Sequence, residues 1–351
     1  MTNSDLLLPA HEILGDQEAW VVGGAVRDEV LGRPLVDVDV ACREPERAAR
    51  AYARRTGGAP FPLSERHGAW RVVLPDGRTI DFTPLRDGIE ADLATRDFTI
   101  NAIARPLAGG DPVDPTGGLA DLELRTIRAV TEEIFTDDPL RLLRAVRLEG
   151  ELGFHIAPLT EELVRRHAEL VTRPAGERIL SELRRLSPVG FQRLAELGLL
   201  APLGGSVARL AEVDLVATPD FLLVVVFGPE LERFPISNEL RRFAQTLLRA
   251  ERPADNSRRA IHRFRRATEP WALEALAFLG APEMYEAVLK ARATEPREPL
   301  VRGDELGLPP GPEIGRVLEE IAEERAVGTI RTREEALELA RRHSDTLREN
   351  R

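Results

Sequence analysis

The chain has 351 residues, with 48 Lys and Arg against 59 Asp and Glu and a formal charge of −11. That length suggests two or three domains. The acidic balance excludes a wholly basic nucleic-acid binder but leaves room for a local cationic surface. Lys290 is the single lysine and Cys42 the single cysteine, so a disulfide framework and a cysteine zinc cluster are excluded. The six histidines show no metal-ligand spacing. The N-terminal stretch MTNSDLLLPAHEILGD lacks the basic start and apolar core of a signal peptide. The longest apolar run, FLLVVVF at 221–227, is far short of the ~20 residues a membrane helix needs. A cytoplasmic protein with no membrane partner is expected.

In chain order, Trp20–Val22 reads as a short strand running into a turn at Gly23-Gly24. Ala25–Leu31 follows as a helical piece closed by Gly32 and Pro34. Leu35–Ala41 alternates with period two, placing Val36, Val38 and Val40 on one face and Asp37 and Asp39 on the other. Glu44–Arg55 reads as a charged helix. Trp70–Leu74 and Arg78–Thr83 flank Pro75-Asp76-Gly77 and read as a hairpin. From about Asp137 onward, apolar residues recur at three and four, as in Leu140, Leu143 and Val146, and the remainder reads as all-helical.

Asp37 and Asp39 present two carboxylates on one strand face, an arrangement suited to holding Mg²⁺ between oxygen ligands. The Gly23-Gly24 turn exposes backbone N–H groups that suit phosphate, and Arg27 adds a charged donor. Asp81, on the strand after the hairpin, is either a third acidic group near the pair or a solvent-facing strand aspartate. Between Arg241 and Arg266 nine arginines face two acids, a local +7. Arg258, Arg259, Arg263, Arg265 and Arg266 are candidate nucleic-acid phosphate contacts there.

The stretch GGAVRDEVLGRPLVDVDVA, with Arg27, Asp28, Asp37 and Asp39, resembles the signature of the polymerase beta-like nucleotidyltransferases, specifically class II tRNA nucleotidyltransferases and bacterial poly(A) polymerases. RDFTINA at 96–102 resembles the family's second motif, associated with ribose and triphosphate, and carries over Arg96, Asp97 and Asn101; Thr95 stands where the family has a further arginine. DPTGGLADL at 114–122, opening on Asp114, resembles the third, a glycine-rich link between head and neck. FTDDPLRLLRAVRLEGELGF at 135–154 resembles the fourth, with Asp137 in place of glutamate. On a helix, Asp138 and Arg141 are three apart and share a face, with Arg144 and Arg147 continuing at the same step. The resemblance implies that Asp138 and Arg141 read the base edge of CTP and ATP, accepting from the exocyclic amine and donating to the adjacent ring atom. Arg144 and Arg147 would face the triphosphate. VTRPAGERILSELRRL at 171–186 resembles the fifth motif, with Glu177 and Arg178 orienting the fourth. Residues 300–341 look like the family's tail.

The resemblance implies an α+β head, a polymerase beta-like mixed sheet with helices, followed by an all-α neck, body and tail. The expected boundaries are 1–130, 131–200, 201–295 and 296–351. It further implies two Mg²⁺ ions, CTP and ATP as donors and the tRNA 3′ end as acceptor. Relatives that finish the CCA end carry a flexible loop before the second motif, where this chain has only PLRDGIEADLAT at 84–95. The short interval keeps a CC-only or A-only enzyme as an alternative; a poly(A) polymerase is another, against which the family tail argues. An inactive RNA-binding protein on the same fold is more distant, because Asp37 and Asp39 are intact.

Overall fold

The computed structural model describes residues 4–15, 17–64, 68–213, 218–295 and 298–349. The chain forms two compact units, Met1–Leu203 and Gly204–Arg351. The expected head and neck fall in the first unit, and the expected body and tail in the second.

The first unit opens with α1 (Ser4–Leu14), β1 (Ala19–Val22), α2 (Gly24–Val30), β2 (Asp37–Cys42) and α3 (Pro45–Thr56). β3 (Ala59–Ser64), β4 (Ala69–Val73), β5 (Thr79–Pro84), α4 (Ile89–Ala94), β6 (Ala104–Pro106) and α5 (Gly118–Glu123) follow. Six strands form one sheet in the order β3-β4-β5-β2-β1-β6. β2 runs parallel to β5 and antiparallel to β1, so the sheet is mixed. The alternation in β2 works as expected where the strand exists: Val38 and Val40 are buried, while Asp37 is exposed. Val36 departs from it, lying before the strand and 55 % exposed. β3 escapes the sequence pattern because Pro60 and Pro62 interrupt it. The strand pairs only with β4, at the sheet edge, where a residue without an N–H is tolerated.

The unit continues with β7 (Thr126–Ile127), α6 (Ile134–Asp137), α7 (Arg141–Leu152), β8 (His155–Ile156), α8 (Pro158–Arg166), α9 (Gly176–Leu183) and α10 (Pro188–Glu196). β7 and β8 pair as a short parallel ribbon, one exception to the all-helical expectation. A second correction concerns Asp138. It lies off any helix, at φ −140° and ψ 96°, between α6 and α7. The cause is Pro139, whose ring drives the preceding residue out of the α region. Asp138 and Arg141 therefore do not share a helix face.

The second unit contains α11 (Pro219–Phe227), α12 (Asn238–Arg249), α13 (Arg258–Thr268), α14 (Ala272–Phe278), α15 (Tyr285–Thr294), α16 (Pro312–Val327) and α17 (Arg333–Glu349). The FLLVVVF run is α11, buried throughout from Phe221 to Phe227. Among the described residues no helix is long and apolar enough to cross a membrane.

One glycine fixes how the third motif meets the second. A Cβ on Gly118, at the start of α5, would lie 2.1 Å from the Thr99 carbonyl oxygen and 2.9 Å from the Ile103 side chain. Backbone at that distance cannot yield as a side-chain tip can. Gly118→Ala is expected to cost at least the upper end of the ~1–3 kcal/mol typical of overpacking. Urea unfolding of the purified variant measures this, and an unchanged midpoint would refute the close approach.

Candidate active site

The site begins at the turn between β1 and α2. Gly23 has φ +70°, and a Cβ there would lie 2.6 Å from Arg96 Nη1 and 3.6 Å from Asp39 Oδ2. A side chain at this position would therefore collide with the arginine, and glycine serves both the backbone angle and the approach. The turn, the second-motif arginine and the β2 carboxylate thus converge, as the sequence order implied. Arg96 is oriented by Asp92, four residues earlier, at 2.8 Å. Arg27 forks onto Asp28, with both bonds at 3.0 Å, and donates to Asn101 Oδ1 at 2.6 Å.

Asp37 accepts from Thr79 Oγ1 at 2.6 Å, its cross-strand partner on β5. Burial raises the Asp39 carboxyl to about 6; Arg96 and Arg71 oppose the rise, and Asp81 and Asp37 add to it. Asp81 lies opposite Asp39 in the parallel register, but its carboxylate is taken by a two-pronged bond from Arg71 at 2.8 and 2.7 Å. Asp81 is therefore an ion-pair partner here, and it is buried, not solvent-facing. Among the described residues no cluster of three or more His, Cys, Asp or Glu is arranged to hold a metal.

Asp37 and Asp39 form no ion pair with any described residue. The fit to a hard divalent cation rests on that: two unpaired carboxylates lie on one strand face, beside a third that is already neutralised. Mg²⁺ suits such a pair, because it keeps water and substrate phosphate oxygens for most of its coordination shell.

A chain of charged groups runs from this turn into the neck. Asn101 donates to Asp97 Oδ1 at 3.0 Å, and Arg144 binds Asp97 Oδ2 at 2.9 and 2.8 Å. Burial pushes the Asp97 carboxyl up, but Arg144, Asn101 and the Phe98 amide together hold it below its ordinary value. Arg144 also reaches Glu182 at 3.7 Å, and Glu182 binds Arg147 at 2.6 Å. Arg147 also binds Glu151 at 2.7 Å and is only 5 % exposed. This corrects the expectation that Arg147 faces a triphosphate: it is buried inside the neck. Arg144 is half-buried and occupied with Asp97.

Arg141 donates to the Thr95 carbonyl at 2.7 Å, so the backbone of the residue that departs from the family motif still anchors the neck. Arg178 pairs with Asp138 at 2.7 Å, as expected of the fifth motif, whereas Glu177 is exposed. Asp114 caps α5, accepting from the Gly118 and Leu119 amides at 2.7 and 2.9 Å. Glu182 and Arg71 were not singled out from the sequence. Glu182 carried a signal, standing four residues after Arg178 on the same helix.

In the second unit the cationic stretch is largely neutralised. Arg259 pairs with Glu323 and Glu324, Arg263 with Glu323, and Arg265 with Glu269 and Glu295. Arg258 donates to the Val327 carbonyl at 3.3 Å, and Arg266 lies 3.9 Å from Glu319. These five were expected to face tRNA, yet they tie α13 mainly to the acidic face of α16. Of the same stretch, Arg242 and Arg249 have no ion pair among the described residues.

Residues 19–88 and 76–128 match the family model described as poly A polymerase head domain, and 153–204 match the one described as probable RNA and SrmB-binding site of polymerase A. The chain is 33% identical to the CC-adding tRNA nucleotidyltransferase of Thermus thermophilus, over 91% of this chain and 92% of that one. It is 32% identical to the A-adding tRNA nucleotidyltransferase of Deinococcus radiodurans, over 93% and 96%. A 49% identical match to the CC-adding tRNA nucleotidyltransferase of Geobacter sulfurreducens spans 48% of this chain and only 40% of that protein. In structure, it resembles the CCA-adding enzyme of Bacillus stearothermophilus in complex with CTP, with a TM-score of 0.79, 26% identity and full coverage of both chains. The fold and site define a polymerase beta-like nucleotidyltransferase. More closely, the chain belongs to the family of class II CCA-adding enzymes and bacterial poly(A) polymerases.

Two predictions follow from the charges. Asp39 holds its proton to about pH 6 in the folded state against 3.8 ordinarily. The native state therefore binds more protons between these values, and stability falls as pH rises through the window. Asp39→Asn should match wild type near pH 4 and melt progressively higher than wild type toward pH 7, in EDTA; parallel melting curves across that range would refute the burial argument. Glu182→Ala strands the buried Arg147 with Glu151 alone. Denaturant unfolding should show a loss of about 3 kcal/mol, the low end for a broken buried pair.

Proposed function

We propose that this chain is a template-independent tRNA nucleotidyltransferase that transfers nucleotidyl groups from CTP and ATP to the tRNA 3′ end. The observation that carries it is the unpaired Asp37–Asp39 face, set against Gly23 and Arg96, in a chain of this family. Two Mg²⁺ ions held by Asp37 and Asp39 would supply Lewis acidity at the α-phosphate and activate the attacking hydroxyl. The chain's own residues do the rest. Arg96 and Arg27 hold triphosphate charge beside the glycine turn. Asp138, steadied by Arg178, accepts from the exocyclic amine of cytosine or adenine, and Arg141 donates to the neighbouring ring atom. A cytoplasmic setting fits the single, buried, free Cys42.

A second reading has its own observation. The interval between β5 and the second motif holds only a short connection and the six-residue α4, with no long loop. In this family that feature accompanies addition of C alone. Labelled CTP, ATP, UTP and GTP, each offered to tRNAs ending before C, after C and after CC, separate the readings. The expected outcome is incorporation of C at the first two ends, abolished in Asp37→Ala; A at the third end supports full CCA addition, and none supports the C-only reading. In Asp138→Ala, UTP use relative to CTP should rise about tenfold to a hundredfold, because uracil no longer sets its carbonyl oxygen against the Asp138 carboxylate. An unchanged nucleotide ranking would remove Asp138 from base selection.

A further inference from the structure

Direct cross-strand partners carry the Asp39 face of the sheet out to its edge. Asp39 stands opposite Asp81, Asp81 opposite Arg71, and Arg71 opposite Phe61. Residues directly opposite in paired strands point to the same face, and the Arg71–Asp81 fork shows it for the middle of the row. The neighbours Val72 and Ile80 are fully buried on the other face. Phe61 thus lies on the side of the sheet that carries the carboxylate pair, three strand spacings or about 14 Å from Asp39.

Phe61 is 41 % exposed. A single exposed apolar side chain is ordinary on a protein surface. This one ends a row that begins at the carboxylate pair and passes through an arginine. Arg71 is one-third exposed, and its fork onto Asp81 uses Nε and Nη2, leaving Nη1 donors in reach of solvent.

The direction of the row matters for the chemistry. Displacement at phosphorus runs in line, with the attacking oxygen opposite the leaving group. Arg96, packed against Gly23, lies on the β1 side of Asp39 and marks the side of the leaving pyrophosphate. The attacking 3′-hydroxyl must then come from the opposite side, over β5, β4 and β3.

We propose that Phe61 and Arg71 form the track for the RNA acceptor's 3′ end. Arg71 Nη1 contacts a backbone phosphate, and the Phe61 ring stacks on a base just upstream of the terminal nucleotide. The inference rests on the tRNA nucleotidyltransferase reading and adds where the acceptor lies. Stacking on an aromatic ring accepts any base, which suits an end whose sequence changes as it grows. Arg71 spends its charge on Asp81, so what it offers the phosphodiester is the Nη1 hydrogen bond and not a free cation.

Arg71 also holds Asp81, so Phe61 is the cleaner probe. In Phe61→Ala, KM for a tRNA lacking its terminal nucleotides should rise about tenfold, the lower range for a lost base stack. KM for CTP should stay within about twofold, and Phe61→Trp should restore the tRNA value. A tRNA carrying 4-thiouridine just upstream of its end should crosslink to β3 in wild type and lose that crosslink in Phe61→Ala. Equal KM for tRNA in wild type and Phe61→Ala, or a crosslink elsewhere, overturns the track while leaving the enzyme reading intact. A wild-type protein that transfers nothing from CTP or ATP to tRNA overturns the enzyme reading, and the track with it.

Discussion

The first unit depends on a continuous relay of charge that starts at the glycine turn and ends inside the neck. Asp28, Arg27, Asn101, Asp97, Arg144, Glu182, Arg147 and Glu151 follow one another at hydrogen-bond or ion-pair distance. Asp97, Asn101, Arg147 and Glu182 are buried. A buried charge without its partner costs several kcal/mol, so no member of this relay is free to leave. The relay therefore does more than stabilise. It makes the second motif, which lies against the Gly23 turn, and the helix that carries Arg141 and Arg144 parts of one rigid assembly. The neck cannot drift from the head without leaving Asp97 or Arg147 unpaired.

Against that background, the candidate metal-holding pair is set apart by what remains unsatisfied. Asp81 has Arg71, Asp97 has Arg144, Asp92 has Arg96, and Asp138 has Arg178. Asp37 and Asp39 have no such cation among the described residues, and unlike Asp114, whose carboxylate caps α5, neither is taken up by a helix terminus. The chain's near-total preference for arginine over lysine serves the same end. A planar fork can hold one carboxylate with two bonds and still reach a second partner, as Arg27 and Arg144 do.

Much of the site was legible from local order. The glycine turn, the alternation in β2 and the spacing of the second motif all bring together residues that lie close in the fold. Four features escaped, the first through a neighbouring residue and the other three because the deciding term lay outside the local window. Periodicity extended the neck helix back to Asp138, but Pro139 sets that residue's backbone. The resemblance set Arg147 with Arg144 toward the triphosphate, but Glu182, 35 residues on, draws it inside. Prolines hid β3 because a single sequence does not reveal that a strand lies at an edge. Arg71 went unnoticed because one arginine in a hairpin means nothing until the register sets it opposite Asp81.

The same lesson applies to the charge of the second unit. A count along the chain gave +7 between Arg241 and Arg266, but a count ignores what folds against it. The glutamates of α16, among them Glu319, Glu323 and Glu324, answer α13 almost residue for residue. An arginine already held by a carboxylate releases no counterions when RNA arrives and contributes little to salt-dependent affinity. Among the described residues, the cations of that stretch without a carboxylate partner are Arg242, Arg249 and Arg258, the first two seven residues apart on α12. Seven residues on a helix is two turns, which puts both guanidinium groups on one face. An acidic chain thus retains a small cationic surface, because most of its arginines are spent on internal pairing and a few are not.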